Sequence, residues 1–287
     1  MNRMLLSLVF VFAGLCAGFA ISAEPVDPRG VTAALSQPVA EAPRTVPKGP
    51  SDWRWNVKSC RSGYGYTAWW GVKNPKAMAA AIESETQECV AKGINTVILE
   101  TRYILGAPGD RDFWACPPLG EMIPRIRKYV DIAHRHGLKV ISHLTVYIAS
   151  DDYAARHPRQ RQWNVVTGKP AAGYPDTGFW KNAATVCYNN PDFQHTYRKS
   201  LKRLLAQTGV DGFMVDEVQF ISSAVDRWTC GCTHCRAEFT KDSGYVLPSG
   251  EEAKSILGDH GNAIFRSWVK WRIKQNGDFY ELLRRTL

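Results

Sequence analysis

Two groups of reactive side chains stand out by type and spacing. An adjacent acidic pair, Asp216 and Glu217, ends the apolar run Gly209-Val-Asp-Gly-Phe-Met-Val, and three thiols, Cys230, Cys232 and Cys235, follow closely. Carboxyl groups can donate a proton, accept one or attack an electrophilic carbon. Thiolates clustered this tightly can hold a metal ion. Two earlier runs share the design: Gly93-Ile-Asn-Thr-Val-Ile-Leu leads to Glu100, and Gly137-Leu-Lys-Val-Ile-Ser leads to His143. In each, a glycine is followed by β-branched apolar residues and then by an ionisable tip.

Strands that are apolar on both faces belong between helices in a parallel sheet. The intervening segments carry the matching helix signals. Asn74-Pro75 and Asn190-Pro191 each place a capping Asn before a proline at the first helical position, predicting helices over Pro75–Lys92 and Pro191–Gln207. A third helix is predicted over Glu121–His136, where Ile123, Ile126, Val130 and Ala133 form one stripe. Glycines 93, 137 and 209 end these helices. Repeated βα units give a barrel or a doubly wound sheet.

A nucleotide-binding doubly wound sheet needs a glycine-rich phosphate turn, and neither Gly-x-Gly-x-x-Gly nor a Walker-type lysine motif occurs. A (β/α)8 TIM barrel instead gathers its strand tips at one mouth, where Glu100, His143 and the acidic pair could meet one substrate. Only four strands are credible, the first within Asn56–Trp70, and Phe239–Leu287 has a helical pattern that includes Ile264, Trp268, Trp271, Ile273, Phe279, Leu282 and Leu283. The expectation is the N-terminal part of a barrel, about four to five βα units, with later strands missing.

Residues 1–23 resemble a secretory signal peptide, with an apolar run from Met4 to Phe19 and Ile21-Ser22-Ala23 ahead of a cleavage site. The mature chain is then secreted or periplasmic, with no membrane attachment. Residues 24–52 hold six prolines and no aromatic residue, which predicts a disordered linker, and 53–287 form the barrel domain. The net charge of +9 includes basic clusters at Arg156–Arg161 and Arg198–Arg203. Phosphate binding would use such clusters; in a secreted chain a solvated helix face accounts for them, and no nucleic-acid partner is expected.

Cleavage of a glycosidic bond generally takes two carboxyl groups, one protonating the leaving oxygen and one acting as nucleophile or activating water. Neighbouring strand residues point to opposite faces, so only one of Asp216 and Glu217 meets the substrate from a regular strand. The bland alternative has an acid capping the next helix or pairing with Arg102. Glu100 would position a hydroxyl or hold Arg102, and His143 would either bond a substrate hydroxyl or be a satisfied strand-end histidine. Tyr64, Tyr66, Trp69 and Trp70 near the first strand, and Tyr147 after the third, offer rings for stacking on sugar, or core packing. The candidate substrate contacts are thus Trp69, Trp70, Glu100, Arg102, His143 and Tyr147.

Seven cysteines remain once Cys16 leaves with the signal, and an odd number cannot all pair. Cys230, Cys232 and Cys235 with a fourth ligand would hold structural zinc; Cys187 is the expected fourth ligand and His234 the alternative. The competing arrangement is one disulfide with spare thiols. No organic cofactor is indicated.

The segments Cys187-Tyr-Asn-Asn-Pro-Asp-Phe, Gly-Val-Asp-Gly-Phe-Met-Val-Asp-Glu and Cys-Gly-Cys-Thr-His-Cys-Arg-Ala-Glu-Phe239 together resemble the middle of glycoside-hydrolase TIM barrels. In layout they are similar to family 42 beta-galactosidases, which hold zinc on one upstream cysteine and a Cys-x-Cys-x-x-Cys run beyond strand four. That resemblance implies Glu217 as acid/base, although Asp216 stands where the family has asparagine. The strand also looks like the fourth strand of alpha-amylase-type barrels, which implies Asp216 as nucleophile. Both imply a retaining enzyme acting on an oligo- or polysaccharide, its second carboxylate lying on a later strand absent from this chain. The alternative is a non-catalytic carbohydrate-binding or cell-surface interaction protein on a degenerate barrel.

Overall fold

Glycines and asparagines punctuate the chain where the sequence pattern predicts turns. The protein is represented by a computed structural model, which describes residues 56–62, 72–102, 104–105, 119–171, 183–216, 218, 220 and 228–287. Outside them lie residues 1–52, Tyr64, Tyr66, Trp69, Trp70, Cys116, Glu217 and the side chain of Arg102. The described elements belong to one unit reaching from Val57 to Leu287.

Four parallel strands make the main sheet: β1 (Ser59–Ser62), β2 (Thr96–Arg102), β3 (Lys139–Thr145) and, after a short antiparallel pair β4 (Ile148–Ser150) and β5 (Ala183–Thr185), β6 (Gly212–Asp216). Their order across the sheet is β1-β2-β3-β6, so each pairs with the next parallel strand along the chain. Helices α1 (Pro75–Ala91), α2 (Leu119–Arg135) and α4 (Pro191–Thr208) connect them, and α3 (Asp151–Arg156) follows β4. The chain is therefore mixed α/β with a parallel sheet, as the three glycine-led runs predict.

The caps explain the boundaries. Asn74 accepts from the amides of Lys76 and Ala77, and Asn190 from those of Asp192 and Phe193, each satisfying two amides left without a partner in the first turn. Gly209 closes α4 at φ 73°, a left-handed conformation that a side chain would strain. Ile126, Tyr129, Val130 and Ala133 of α2 are buried with Val97 and Leu99 of β2 and Val140 and Leu144 of β3. Buried apolar area of this kind contributes about 25 cal/mol per Å². α2 packs between α1 and α4.

The C-terminal portion is helical, comprising α5 (Thr233–Ser243), α6 (Gly250–Ile256) and α7 (Ala263–Thr286). In α7 the buried stripe is Phe265, Trp268, Trp271, Phe279 and Leu283; Ile273, expected on it, is 67% exposed. Two residues past Trp271 it is rotated about 200° around the helix, away from the buried face.

Asp211 sets the register between β3 and β6. Its carboxylate accepts from the Val140 amide at 2.9 Å and from Lys139 Nζ at 2.9 Å and contacts His134 Nε2 at 2.7 Å, while its own amide donates to Val140 O at 2.8 Å. Burial, the largest single influence, pushes its pKa up, but the bonds from Lys139, Val140 and His134 together outweigh it and leave the group below its ordinary value. A lowered folded-state pKa stabilises the fold above the unfolded value of about 3.9, and that contribution disappears as pH falls through the folded value. Asp211→Ala should cost about 1–3 kcal/mol at pH 7. The stability difference between wild type and Asp211→Asn in urea denaturation should shrink from pH 7 to pH 3; an unchanged difference would remove the charge from this account.

Candidate functional site

The register Glu100↔His143 across β2 and β3, and Thr145↔Asp216 across β3 and β6, brings three strand tips together. His143 Nδ1 lies 2.9 Å from Glu100 Oε2 and its Nε2 lies 3.1 Å from Asp216 Oδ2. Arg61 of β1 adds an ion pair, its Nε 3.1 Å from Glu100 Oε1. Arg61, Glu100, His143 and Asp216 thus form one chain of contacts crossing all four strands. Glu100 and His143 are fully buried, whereas the Asp216 side chain is 37% exposed. The two outer members, Arg61 at 43% and Asp216 at 37% side-chain exposure, are open to solvent, and Asp216 is the carboxylate among them.

The backbone beside this chain is fixed by hydroxyl groups. Thr101 Oγ1 donates to the carbonyl of His143 at 2.9 Å and contacts Ser142 Oγ. The β2–β3 pairing shifts register between Glu100 and Arg102, next to those contacts. Such irregularities re-aim side chains at sheet ends, and here the affected residues flank the buried carboxylate.

A ring between two carboxyl groups holds one proton in each contact. As imidazolium, His143 donates to both Glu100 and Asp216; as neutral imidazole, it donates to one of them and accepts from the protonated form of the other. In either state a proton lies between the ring and the exposed carboxyl. Two carboxylates and one imidazolium, with Arg61 on the far side, leave little uncompensated charge in the buried segment.

Tyr280 of α7 is a neighbour that the sequence reading did not identify. Burial raises its pKa, and the charge of Asp216 raises it further. No motif marks it, because its place depends on how α7 packs. Tyr147, a predicted ring contact, is 2% exposed and its carbonyl accepts from Val186, so it lies in the core. Trp69, Trp70, Glu217 and the Arg102 side chain lie outside the described residues, and Glu100 is held by Arg61 and His143.

The thiols form a second centre. Cys187, Cys230, Cys232 and Cys235 are all buried, and their sulfurs lie within 4.8 Å of one another. Cys187 Sγ is 3.4 Å from Cys235 Sγ and 3.8 Å from Cys232 Sγ. Four sulfurs arranged tetrahedrally at about 2.3 Å from one ion are roughly 3.8 Å apart, so the set is close enough to bind a metal. Cys232 caps α5, its sulfur accepting from the Cys235 amide at 3.4 Å. The thiols of Cys187, Cys230 and Cys235 bond to Cys232 and hold its pKa far below that of an ordinary thiol. Cys187 is raised by its bonds to Cys230 and Cys232, and Cys235 chiefly by burial. The pocket thus favours a thiolate at Cys232, and an ion would replace the remaining protons.

The loop around these thiols is tightly held. Arg236 donates to the carbonyls of Gly231, Leu247, Pro248 and Val165. A Cβ on Gly231 would lie 2.9 Å from the Cα of Val165, too near a backbone atom for a side chain. Arg272 stands over the rings of Phe220 and Trp268, its centre 5.1 and 4.7 Å from theirs, and burial pushes its pKa down to about 10. His234, the alternative ligand, instead lines a cavity of about 390 Å³ with Arg159, Trp163 and Asp192.

No protein-family model matches the chain, and no curated protein matches it. Solved structures similar in part include a maltogenic alpha-amylase, AmyB, from Thermotoga neapolitana, with 16% identity, TM-score 0.41, and coverage of 58% of this chain and 40% of that one. The alpha-L-fucosidase isoenzyme 2 of Paenibacillus thiaminolyticus shows 15% identity, TM-score 0.45, and coverage of 71% and 27%. An alpha-amylase from Lactobacillus plantarum shows 16% identity, TM-score 0.41, and coverage of 56% and 38%. The chain spans less than half the length of each of these enzymes. All three scores are below 0.5, so the likeness itself assigns no activity.

Proposed function

We propose that the parallel sheet is the first part of a (β/α)8 barrel and that the chain is a secreted or periplasmic glycoside hydrolase of retaining type. The observation that carries this reading is the buried His143 bridging buried Glu100 and exposed Asp216 at the C-terminal ends of parallel strands. Barrel enzymes use that end of the sheet for chemistry. The sequence resemblance of the Asp216-Glu217 strand and the cysteine run to glycoside-hydrolase barrels supports a saccharide as substrate.

Asp216 is the nucleophile in this mechanism. In this reading His143 is imidazolium and donates to one carboxylate oxygen of Asp216, which favours the ionised form and fixes its orientation, leaving the other oxygen to attack the anomeric carbon. The glycosidic oxygen leaves with a proton from a second carboxyl group on the opposite side of the bond, and water then cleaves the glycosyl ester. Neighbouring residues of a regular strand face opposite sides, so in this reading the second carboxyl comes from another strand and not from Glu217.

Hydrolysis of a panel of aryl glycosides and oligosaccharides by wild type, Asp216→Asn and Glu217→Gln tests the assignment. Asp216→Asn should lower kcat by about 10²–10⁴-fold on whichever glycoside the wild type cleaves. Equal turnover in all three proteins would remove the acidic pair from catalysis, and saccharide binding without hydrolysis by the wild type would establish the non-catalytic alternative.

The thiol centre is assigned to structural zinc. Four cysteine sulfurs are a closed donor set, with no place for a reacting water, and they suit a borderline-soft ion without redox chemistry. Its role is to hold the chain that follows β6. Metal analysis should give one zinc per chain, and chelation should lower the thermal midpoint in step with metal loss. Disulfides linking these four residues in metal-free protein would contradict the assignment.

A further inference from the structure

A second pair of sulfurs lies far from the four-thiol centre in sequence. Cys60 is in β1 and Cys89 is in the last turn of α1, and their Sγ atoms are 3.2 Å apart. We propose that Cys60 and Cys89 form a disulfide bond, made by exchange with an organic disulfide oxidant, that fastens β1 to α1. The inference does not depend on the glycosidase reading.

The geometry favours the bond. A disulfide is about 2.05 Å long, so from 3.2 Å the sulfurs need approach by only about 1 Å. Of the described cysteines other than these two, all four belong to the buried thiol centre, leaving Cys60 and Cys89 as each other's near partners. Cys89 is buried and Cys60 is partly exposed, so Cys60 is the member of the pair nearer to solvent.

The exchange balances without a further reagent. The thiolate of Cys60 attacks one sulfur of the oxidant, releasing the other as a thiolate and forming a mixed disulfide. Cys89 then displaces the attached half through its own thiolate. Two protons and two electrons pass from the protein to the oxidant, which leaves as two thiols. Burial, the Cys89 thiol and Glu85 push the Cys60 thiol up to about 12, so the exchange is run at alkaline pH, where its thiolate is more populated.

The consequence reaches the candidate site. β1 pairs with β2 over only four residues, Ser59 to Ser62, and Arg61, next to Cys60, carries the ion pair to Glu100. A covalent tie at Cys60 restrains the strand that delivers this guanidinium.

The test uses the full chain with oxidised glutathione as the probe. After incubation the protein is denatured, alkylated with N-ethylmaleimide, digested without reduction and mapped by mass spectrometry. The expected result is a linked peptide pair containing Cys60 and Cys89, both unalkylated, and a thermal midpoint roughly 5–15 °C above that of the reduced protein. Cys89→Ser should abolish that rise. Alkylation of both cysteines after oxidation, glutathione adducts alone, or a bond from either to Cys116 would overturn the proposal. Metal content is measured on the same samples, so a negative result here stays separate from the fate of the four-thiol centre.

Discussion

A fully buried imidazole held between two carboxyl groups constrains everything around it. Removing charge from water costs several kcal/mol per ion unless partners replace the lost solvation. For Glu100 those partners are His143 on one oxygen and Arg61 beside the other. For His143 they are Glu100 and Asp216. Each contact comes from a different strand, so the sheet must keep its register for the chain to exist. Asp211 fixes that register where β6 begins, and Thr101 and Ser142 fix the backbone where β2 and β3 end.

The polar chain leads outward to the carboxylate of Asp216 at one end and to Arg61 at the other. Its two inner members, Glu100 and His143, are buried, and its outer members, Arg61 and Asp216, are partly exposed. Tyr280 approaches from α7, so the C-terminal helix forms part of the surroundings of the carboxylate. The four-thiol centre lies further along the chain that leaves β6. Cys230, Cys232 and Cys235 draw this segment onto Cys187, and Arg236 ties the same loop to Val165 and to the carbonyls of residues 247 and 248. β6 and the cysteine loop are thus each held by structural bonding.

Much of this was legible in the sequence. The glycine-led apolar runs marked β2, β3 and β6, because parallel strands buried on both faces have no alternating pattern to obscure them. Asn-Pro marked the starts of α1 and α4, because an amide cap and a fixed φ are local requirements. Spacing marked Cys230, Cys232 and Cys235, and the need for a fourth ligand left Cys187 or His234 open; it is Cys187 that lies with the other three. The contacts joining Glu100, His143 and Asp216 were not legible, since adjacency across strands depends on register. Arg61 as the partner of Glu100 was hidden for the same reason, and Tyr280, 64 residues after β6 ends, depends on how its helix docks. The β4–β5 pair, three residues on each side, is too short to leave a periodic signal.

The central claim is that Glu100 acts on Asp216 through His143. A double-mutant cycle with Glu100→Gln and Asp216→Asn, read by urea denaturation in the wild-type and His143→Gln backgrounds, measures it directly. The account predicts a coupling of about 0.5–3 kcal/mol between positions 100 and 216 when His143 is present, falling to near zero when the ring is replaced. Additive effects in the wild-type background, or coupling that survives loss of the imidazole, would contradict it.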